Sequence, residues 1–272
     1  MKRVLPALSL LIAACGGSGG GDAEPAARAV PLAQSPAARA LRLPRMRPAR
    51  VMHPEAGADI ATVNVRVEVS GSIPADTTVQ ARSIDPACGE SFVDTAVVRI
   101  GNAVAGVLVW IEGPGTVFSP LADGEHRPTV ILEQCRLQPR VQLAALGSTV
   151  QLVMHDARGE RLVLVPPSVS TPIDTISFNA EGQLVPVRQR TDSVGVLGIY
   201  AIHLPWARAF IAVAPTGVSA ISDMTGTAKF SIDRRATNVS VRAWHPSLGA
   251  ASGTLNPSKG GAEQTLTLTF RR

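Results

Sequence analysis

Residues 195 to 213 read Gly-Val-Leu-Gly-Ile-Tyr-Ala-Ile-His-Leu-Pro-Trp-Ala-Arg-Ala-Phe-Ile-Ala-Val, and they constrain the fold more than any other stretch. They spell a strand, a tight His203-Leu204-Pro205-Trp206 corner and a second strand. The rest of the chain is written in the same style. Aromatic residues make up only 4% of it, so Val, Thr, Ile and Leu carry the hydrophobic load. Val and Thr favour pleated, half-buried strands. The 24 Gly and 21 Pro punctuate short segments, as in all-β proteins. With 272 residues, 45% hydrophobic and 17% charged, the chain has room for one large or two modest domains with a sizeable core.

The start of the chain reads as an address. Met1-Lys2-Arg3 is followed by an apolar run from Val4 to Ala14 and then Cys15. A basic start and a short apolar core predict a secretory signal. The run is too short to span a bilayer, which takes about 20 residues. Leu11-Ile12-Ala13-Ala14-Cys15 resembles the bacterial lipobox, which implies cleavage before Cys15 and lipidation of its thiol. The alternative is an ordinary signal peptide with a chance cysteine. Gly16-Gly17-Ser18-Gly19-Gly20-Gly21 follows as a flexible tether. Position 16 is Gly rather than Asp, so the lipoprotein rule implies the outer membrane. Residues 22–60 are rich in Ala, Pro and Arg without a sustained period, and read as a disordered or extended linker. The formal charge of +5 is concentrated here: six Arg stand between Asp22 and Arg50 against Asp22 and Glu24. The remainder is near neutral and carries no nucleic-acid footprint.

Order is expected from about Ala61. Residues 62–69 alternate apolar and polar, the pattern of a half-buried strand. Further strands are expected over 77–81, 96–100, 104–111, 129–133, 140–143, 149–154, 161–165, 173–178 and 184–187, with a hairpin signal at Gly101-Asn102. A turn of helix fits 156–160, and a polar loop fits 113–128. Beyond Pro215 come short strands over 218–222, 227–232, 238–244 and 264–270. These predict a small β-sandwich, either independent or appended to the first domain's core.

Cys88 and Cys135 remain if Cys15 is lipidated, an even pair 47 residues apart in an exported chain. Compartment and parity favour a disulfide, with two buried free thiols as the alternative. Chain entropy assigns such a loop about 4 kcal/mol.

Several motifs stand in a definite order. They are Ser83-Ile84-Asp85-Pro86-Ala87-Cys88-Gly89, Val107-Leu108-Val109-Trp110-Ile111-Glu112-Gly113, Leu132-Glu133-Gln134-Cys135-Arg136-Leu137-Gln138-Pro139-Arg140-Val141, Gly147-Ser148-Thr149-Val150, Pro205-Trp206-Ala207-Arg208-Ala209-Phe210 and Val241-Arg242-Ala243-Trp244-His245. In this order the chain resembles exported cupredoxin-like proteins of the plastocyanin-like or methylamine-utilisation type, with a carboxypeptidase-regulatory-like domain at the C-terminus. The resemblance spans residues 61–272. It implies an all-β architecture: a cupredoxin-like Greek-key sandwich over 61–214, then a small transthyretin-like, carboxypeptidase-regulatory-like β-sandwich over 215–272.

The family's copper site takes a His after the strand that ends near Asp156 and a Cys, a His and a Met from the corner, and the family pattern also has a Pro-His-Val segment. Soft and borderline ligands of this kind suit both copper oxidation states. Set against that pattern, Ala201 falls at the Cys, Leu204 at the His, Ala207 at the Met, and Pro139-Arg140-Val141 at the Pro-His-Val segment; no His stands near Glu160-Arg161. His203 is one residue early, and a one-residue shift turns a strand side chain to the opposite face. The expectation is a retained fold without its copper ligands, hence no metal or cofactor site. His155 and His203 are the two that remain for an altered metal site; otherwise each is a strand-edge histidine with a hydrogen-bond partner. Trp206, Trp244 and His245 read as packing or structural residues, and His53 and His126 as linker or loop.

No H-E-x-x-H and no phosphate loop is present, and Asp85, Asp94, Glu112, Asp156 and Asp174 are scattered. The expected function is a membrane-anchored, non-enzymatic β-sandwich protein that binds a protein, peptide or glycan, with the 113–128 loop as a candidate surface. Copper binding with altered ligands is the alternative, and a purely structural envelope component a third.

Overall fold

The computed structural model describes residues 43–55, 57–83, 86–113, 116–118, 128–156, 159–165, 174–187, 193–259 and 261–271. The signal-like segment, Cys15, the glycine tether, most of the linker, most of the 113–128 loop, Asp85 and His126 lie outside them. The described residues hold no α-helix; four large sheets and a two-stranded ribbon make up the fold.

The 195–213 stretch becomes two adjacent strands, Gly195–Ala201 and Arg208–Ala214, paired antiparallel from Gly195 opposite Val213 to Tyr200 opposite Arg208. They lie inside a five-stranded sheet ordered Val141–Ala145, Arg208–Ala214, Gly195–Ala201, Glu160–Val165, Asp174–Phe178. Opposite lies a four-stranded sheet of Arg136–Gln138, Thr129–Glu133, Val150–Met154 and Leu184–Val187. Both sheets of this corner sandwich are mixed: Val141–Ala145 runs parallel to Arg208–Ala214, and Thr129–Glu133 parallel to Val150–Met154.

The second body, the end sandwich, is assembled from both ends of the described chain. One sheet runs Ser219–Ile221, Leu108–Glu112, Val239–His245, Gly249–Leu255. The other is built on Ile60–Ser70, flanked by Thr227–Asp233 antiparallel and Glu263–Arg271 parallel. Ile60–Ser70 shows the alternation its sequence predicts, with Val63, Val65, Val67 and Val69 inward. Gly101, at φ +61°, turns the expected hairpin between Arg99–Ile100 and Ala103–Val104.

The corner strands do not alternate, because both of their faces are covered. Leu197, Ile199, Ala201, Ala209, Ile211 and Val213 enter the core of the corner sandwich. Val196, Tyr200, Phe210, Ala212 and Ala214 enter the core of the end sandwich. A strand buried on both faces reads as a continuous apolar run rather than a period of two. The ring of Phe210 meets Tyr200 and Trp244 edge to face, at centroid distances of 6.1 and 5.3 Å, which ties the two bodies together.

Two expected boundaries are corrected. The division at 214/215 does not separate sheets, since Leu108–Glu112 pairs with Val239–His245 and Ile60–Ser70 with Glu263–Arg271. A long strand with one buried face needs partners on both edges, and Ile60–Ser70 finds them among the last strands. The corner sandwich is thus inserted between Thr116–Phe118 and Ser219–Ile221, and the C-terminal strands are an appended sheet within a shared core. Nor does the linker extend to residue 60. Met46 and Ala49 are buried, and Arg50–Met52 pairs parallel with Thr116–Phe118, since two apolar side chains in this stretch suffice to dock it. A strand begins at Glu160, and residues 157 and 158 of the expected helical turn lie outside the described residues.

Gly198 marks the tightest point of the shared layer. A Cβ there would stand 2.6 Å from Cε2 and 2.7 Å from the hydroxyl oxygen of Tyr200, whose ring folds back over it. Gly198→Ala is expected to cost about 1–3 kcal/mol in urea denaturation through overpacking. In a Tyr200→Leu background the same change should be neutral or slightly stabilising, since the ring is gone and the unfolded chain is stiffened.

Candidate functional site

The corner closes by its own backbone: Ala207 N–H donates to Leu204 O at 2.9 Å and Ala201 N–H to Ala207 O at 3.0 Å. Leu204 is fully buried, and Ala201 and Ala207 nearly so, all three in the core of the corner sandwich. The side chains at the three expected ligand positions are therefore packing groups.

Trp206 faces a different neighbour. Its indole N–H donates to Cys135 O at 2.8 Å, and its ring meets Phe92 edge to face at 5.8 Å. The Arg136 guanidinium sits over the same Phe92 ring, 4.7 Å from its centroid. Gln134 and Cys135 have φ of 49° and 59° and form the two-residue turn of the hairpin between Thr129–Glu133 and Arg136–Gln138. Left-handed backbone at two non-glycine residues persists where the surroundings hold it. Here the Cys135 N–H donates to the Asp156 carboxylate at 2.8 Å, and Cys135 is joined to Cys88 in a disulfide with a Cα–Cα distance of 5.4 Å.

His203 and His155 each stand beside a glutamate. His203 Nδ1 lies 2.9 Å from Glu160 Oε1; the Glu160 side chain is fully buried and the imidazole about half exposed. The same oxygen accepts the Arg161 N–H at 2.7 Å, as a buried carboxylate requires. His155 Nδ1 lies 3.7 Å from Glu133 Oε1. Both pairs are at the end of the corner sandwich where the strands meet the corner. Among the described residues no group of three or more His, Cys, Asp or Glu is placed to hold a metal ion.

A second polar cluster lies where the two bodies meet, and only Arg140 of it was singled out in the sequence as a ligand-position residue. Arg140 pairs with Asp94 and donates to Thr95 O at 2.9 Å. The Nε of Arg208 is buried without a hydrogen-bond partner among the described residues. Burial, and then the Arg140 charge, lower the affinity of Arg208 for its proton. Burial raises the Tyr200 hydroxyl to about 12. It also depresses His245 to about 4, with Arg140 adding to the effect. His245 Nδ1 accepts the Ser247 N–H at 3.1 Å, which places the proton of the neutral ring on Nε2. Asp94 and Arg140 are 46 residues apart, and no local pattern links them.

The other carboxylates are engaged separately. Glu112 accepts from Trp110 and Arg242, Asp156 from Cys135, and Asp174 from the Thr175 N–H. His53 is within the described residues, near the start of the ordered chain. Arg45 and Arg47, which line a cavity beside Glu112 and Arg242, were read in the sequence as linker charge; only the docking of residues 43–52 brings them against a sheet.

No protein-family model matches this chain, and no curated protein matches it. Solved structures similar to part of it include copper proteins. A purple cupredoxin from Nitrosopumilus maritimus is 14% identical over 32% of this chain and 99% of its own, at a TM-score of 0.27. A Cu(I) amicyanin variant is 16% identical over 39% and 98%, at a TM-score of 0.28. A copper-containing nitrite reductase from Thermus scotoductus is 16% identical over 54% of this chain and 28% of its own, at a TM-score of 0.28.

His245 gives the fold a pH dependence with a defined sign. It is neutral in the folded chain down to about pH 4, whereas in the unfolded chain it gains a proton below its ordinary value of 6.5. The unfolded state therefore binds more protons between these values, so stability is complete above 6.5 and falls as the pH drops toward 4. The loss expected from this group is about 3 kcal/mol. Urea midpoints from pH 7 to pH 4 should flatten in His245→Gln relative to the unaltered chain; identical slopes would remove the assignment.

Proposed function

We propose that this chain is a lipid-tethered envelope protein that works by binding, on a cupredoxin-like scaffold whose copper corner has been converted into packing. The observation that carries the reading is the filled corner. Ala201, Leu204 and Ala207 are core residues, and the Trp206 indole is committed to the Cys135 carbonyl. The Cys88–Cys135 disulfide supports an oxidising, exported setting. The Cys15 motif and its glycine tether support an anchor in the outer membrane. The partner in this reading is a protein, peptide or glycan, not a nucleic acid.

Copper binding through altered ligands is the second reading, favoured by the two His–Glu pairs at the corner end. Titration of the purified chain with Cu(II) and Cu(I) separates the two. The binding reading expects no stoichiometric uptake and no ligand-to-metal absorption band. A band that disappears in His203→Ala would overturn it in favour of the second. In cells, Cys15→Ser should move the protein from the membrane to the soluble fraction; unchanged partitioning would remove the anchor.

A further inference from the structure

A cavity of about 350 Å³ opens between the 43–52 segment and the sheet that holds Leu108–Glu112 and Val239–His245. It falls within the size range of small-molecule sites. Its floor is the paired strands Val239–His245 and Gly249–Leu255, lined there by Ala243, Ala250 and Ala251. Its walls are Arg45, Arg47 and Arg242, with Trp110 and Glu112 at the base.

The charges in this cavity do not balance. Glu112 is the one carboxylate among the described lining residues, and both of its oxygens are engaged. Oε1 takes the Trp110 indole N–H at 2.8 Å and the Arg47 backbone N–H at 3.4 Å, and Oε2 takes Arg242 Nε at 3.1 Å. The Arg45 and Arg47 guanidiniums have no hydrogen bond or ion pair among the described residues, and the terminal nitrogens of Arg242 make none there. Three arginines against one carboxylate leave an excess of two positive charges in the lining of a single space. Holding like charges together is unfavourable unless an anion joins them. Guanidinium forks match tetrahedral oxyanions in two-point hydrogen bonds, and a phosphate monoester carries close to two negative charges at neutral pH.

We propose that this cavity is a binding site for a phosphate monoester, held by Arg45, Arg47 and Arg242. Glu112 fixes Arg242 and the Arg47 backbone in position rather than touching the ligand. The site goes beyond the reading of the corner and stands whether or not the chain is lipidated. The phosphomonoester comes from one of two sources, a soluble metabolite or a lipid headgroup.

The test uses the purified full chain at low and at physiological salt. Glycerol 3-phosphate is titrated calorimetrically, and vesicles containing phosphatidic acid are compared with phosphatidylcholine vesicles by flotation. The expected result is saturable binding in one arm, weakened at least tenfold in an Arg45→Gln, Arg47→Gln variant and weakened by added salt. These two side chains are exposed and make no bond in the fold, so this variant should keep its melting temperature. Binding of the free ester assigns a metabolite source, and binding of the vesicle alone assigns a lipid source. Absence of saturable binding in both arms, undiminished binding by the variant, or equally tight binding of succinate would overturn the assignment. None of these outcomes bears on the copper titration, so the two readings fail separately.

Discussion

The structure depends on one layer that has no solvent face. Gly195–Ala201 and Arg208–Ala214 send alternate side chains into two different cores, so each residue of the hairpin is held from one side or the other. Burial of apolar area contributes about 25 cal/mol per Å², and this hairpin contributes to both bodies at once. The corner between the strands inherits the same constraint. Leu204 and Ala207 follow the apolar chemistry of the core they close, and the one imidazole, His203, turns outward to the buried Glu160.

The double burial also explains the polar cluster at its edge. Tyr200 and Arg208 are paired across the hairpin, so the register that places Phe210 against Trp244 also places a guanidinium at the junction of the bodies. Buried charge is tolerated when paired and hydrogen-bonded. Asp94, which pairs with Arg140 from a short ribbon outside both sandwiches, also acts on Arg208 through its charge and partly offsets the effects of burial and of Arg140. Gly198 is the complementary concession, a missing side chain that lets the Tyr200 ring lie flat.

Much of this was legible in local pattern. The period of two over residues 62–69, the turn at Gly101, and the strands at Thr129–Glu133 and Leu184–Val187 need only their own side chains to be read. The Cys88–Cys135 bridge followed from parity and compartment. Gly249–Leu255 was not legible: its Gly, Ala and Ser carry no strand signal, and Gly253 is small because Leu268 Cδ2 would stand 2.7 Å from a Cβ. The pairing of Ile60–Ser70 with Glu263–Arg271 was hidden as well, since alternation tells which face is buried but not which strand lies alongside. For the same reason the corner residues could be named from sequence, while the Arg140–Asp94 pair and the arginine-lined cavity, both made by distant segments, could not.

The corner hairpin is a structural layer shared by two cores, which makes the described residues one cooperative body. Native-state hydrogen exchange tests this most directly. The amides of Val196 to Tyr200 and of Ala209 to Val213 should exchange only through global unfolding, with the same free energy as those of Val63 to Val69. Two separable unfolding events would contradict it, one releasing the corner hairpin while the strands at both ends of the chain stay protected.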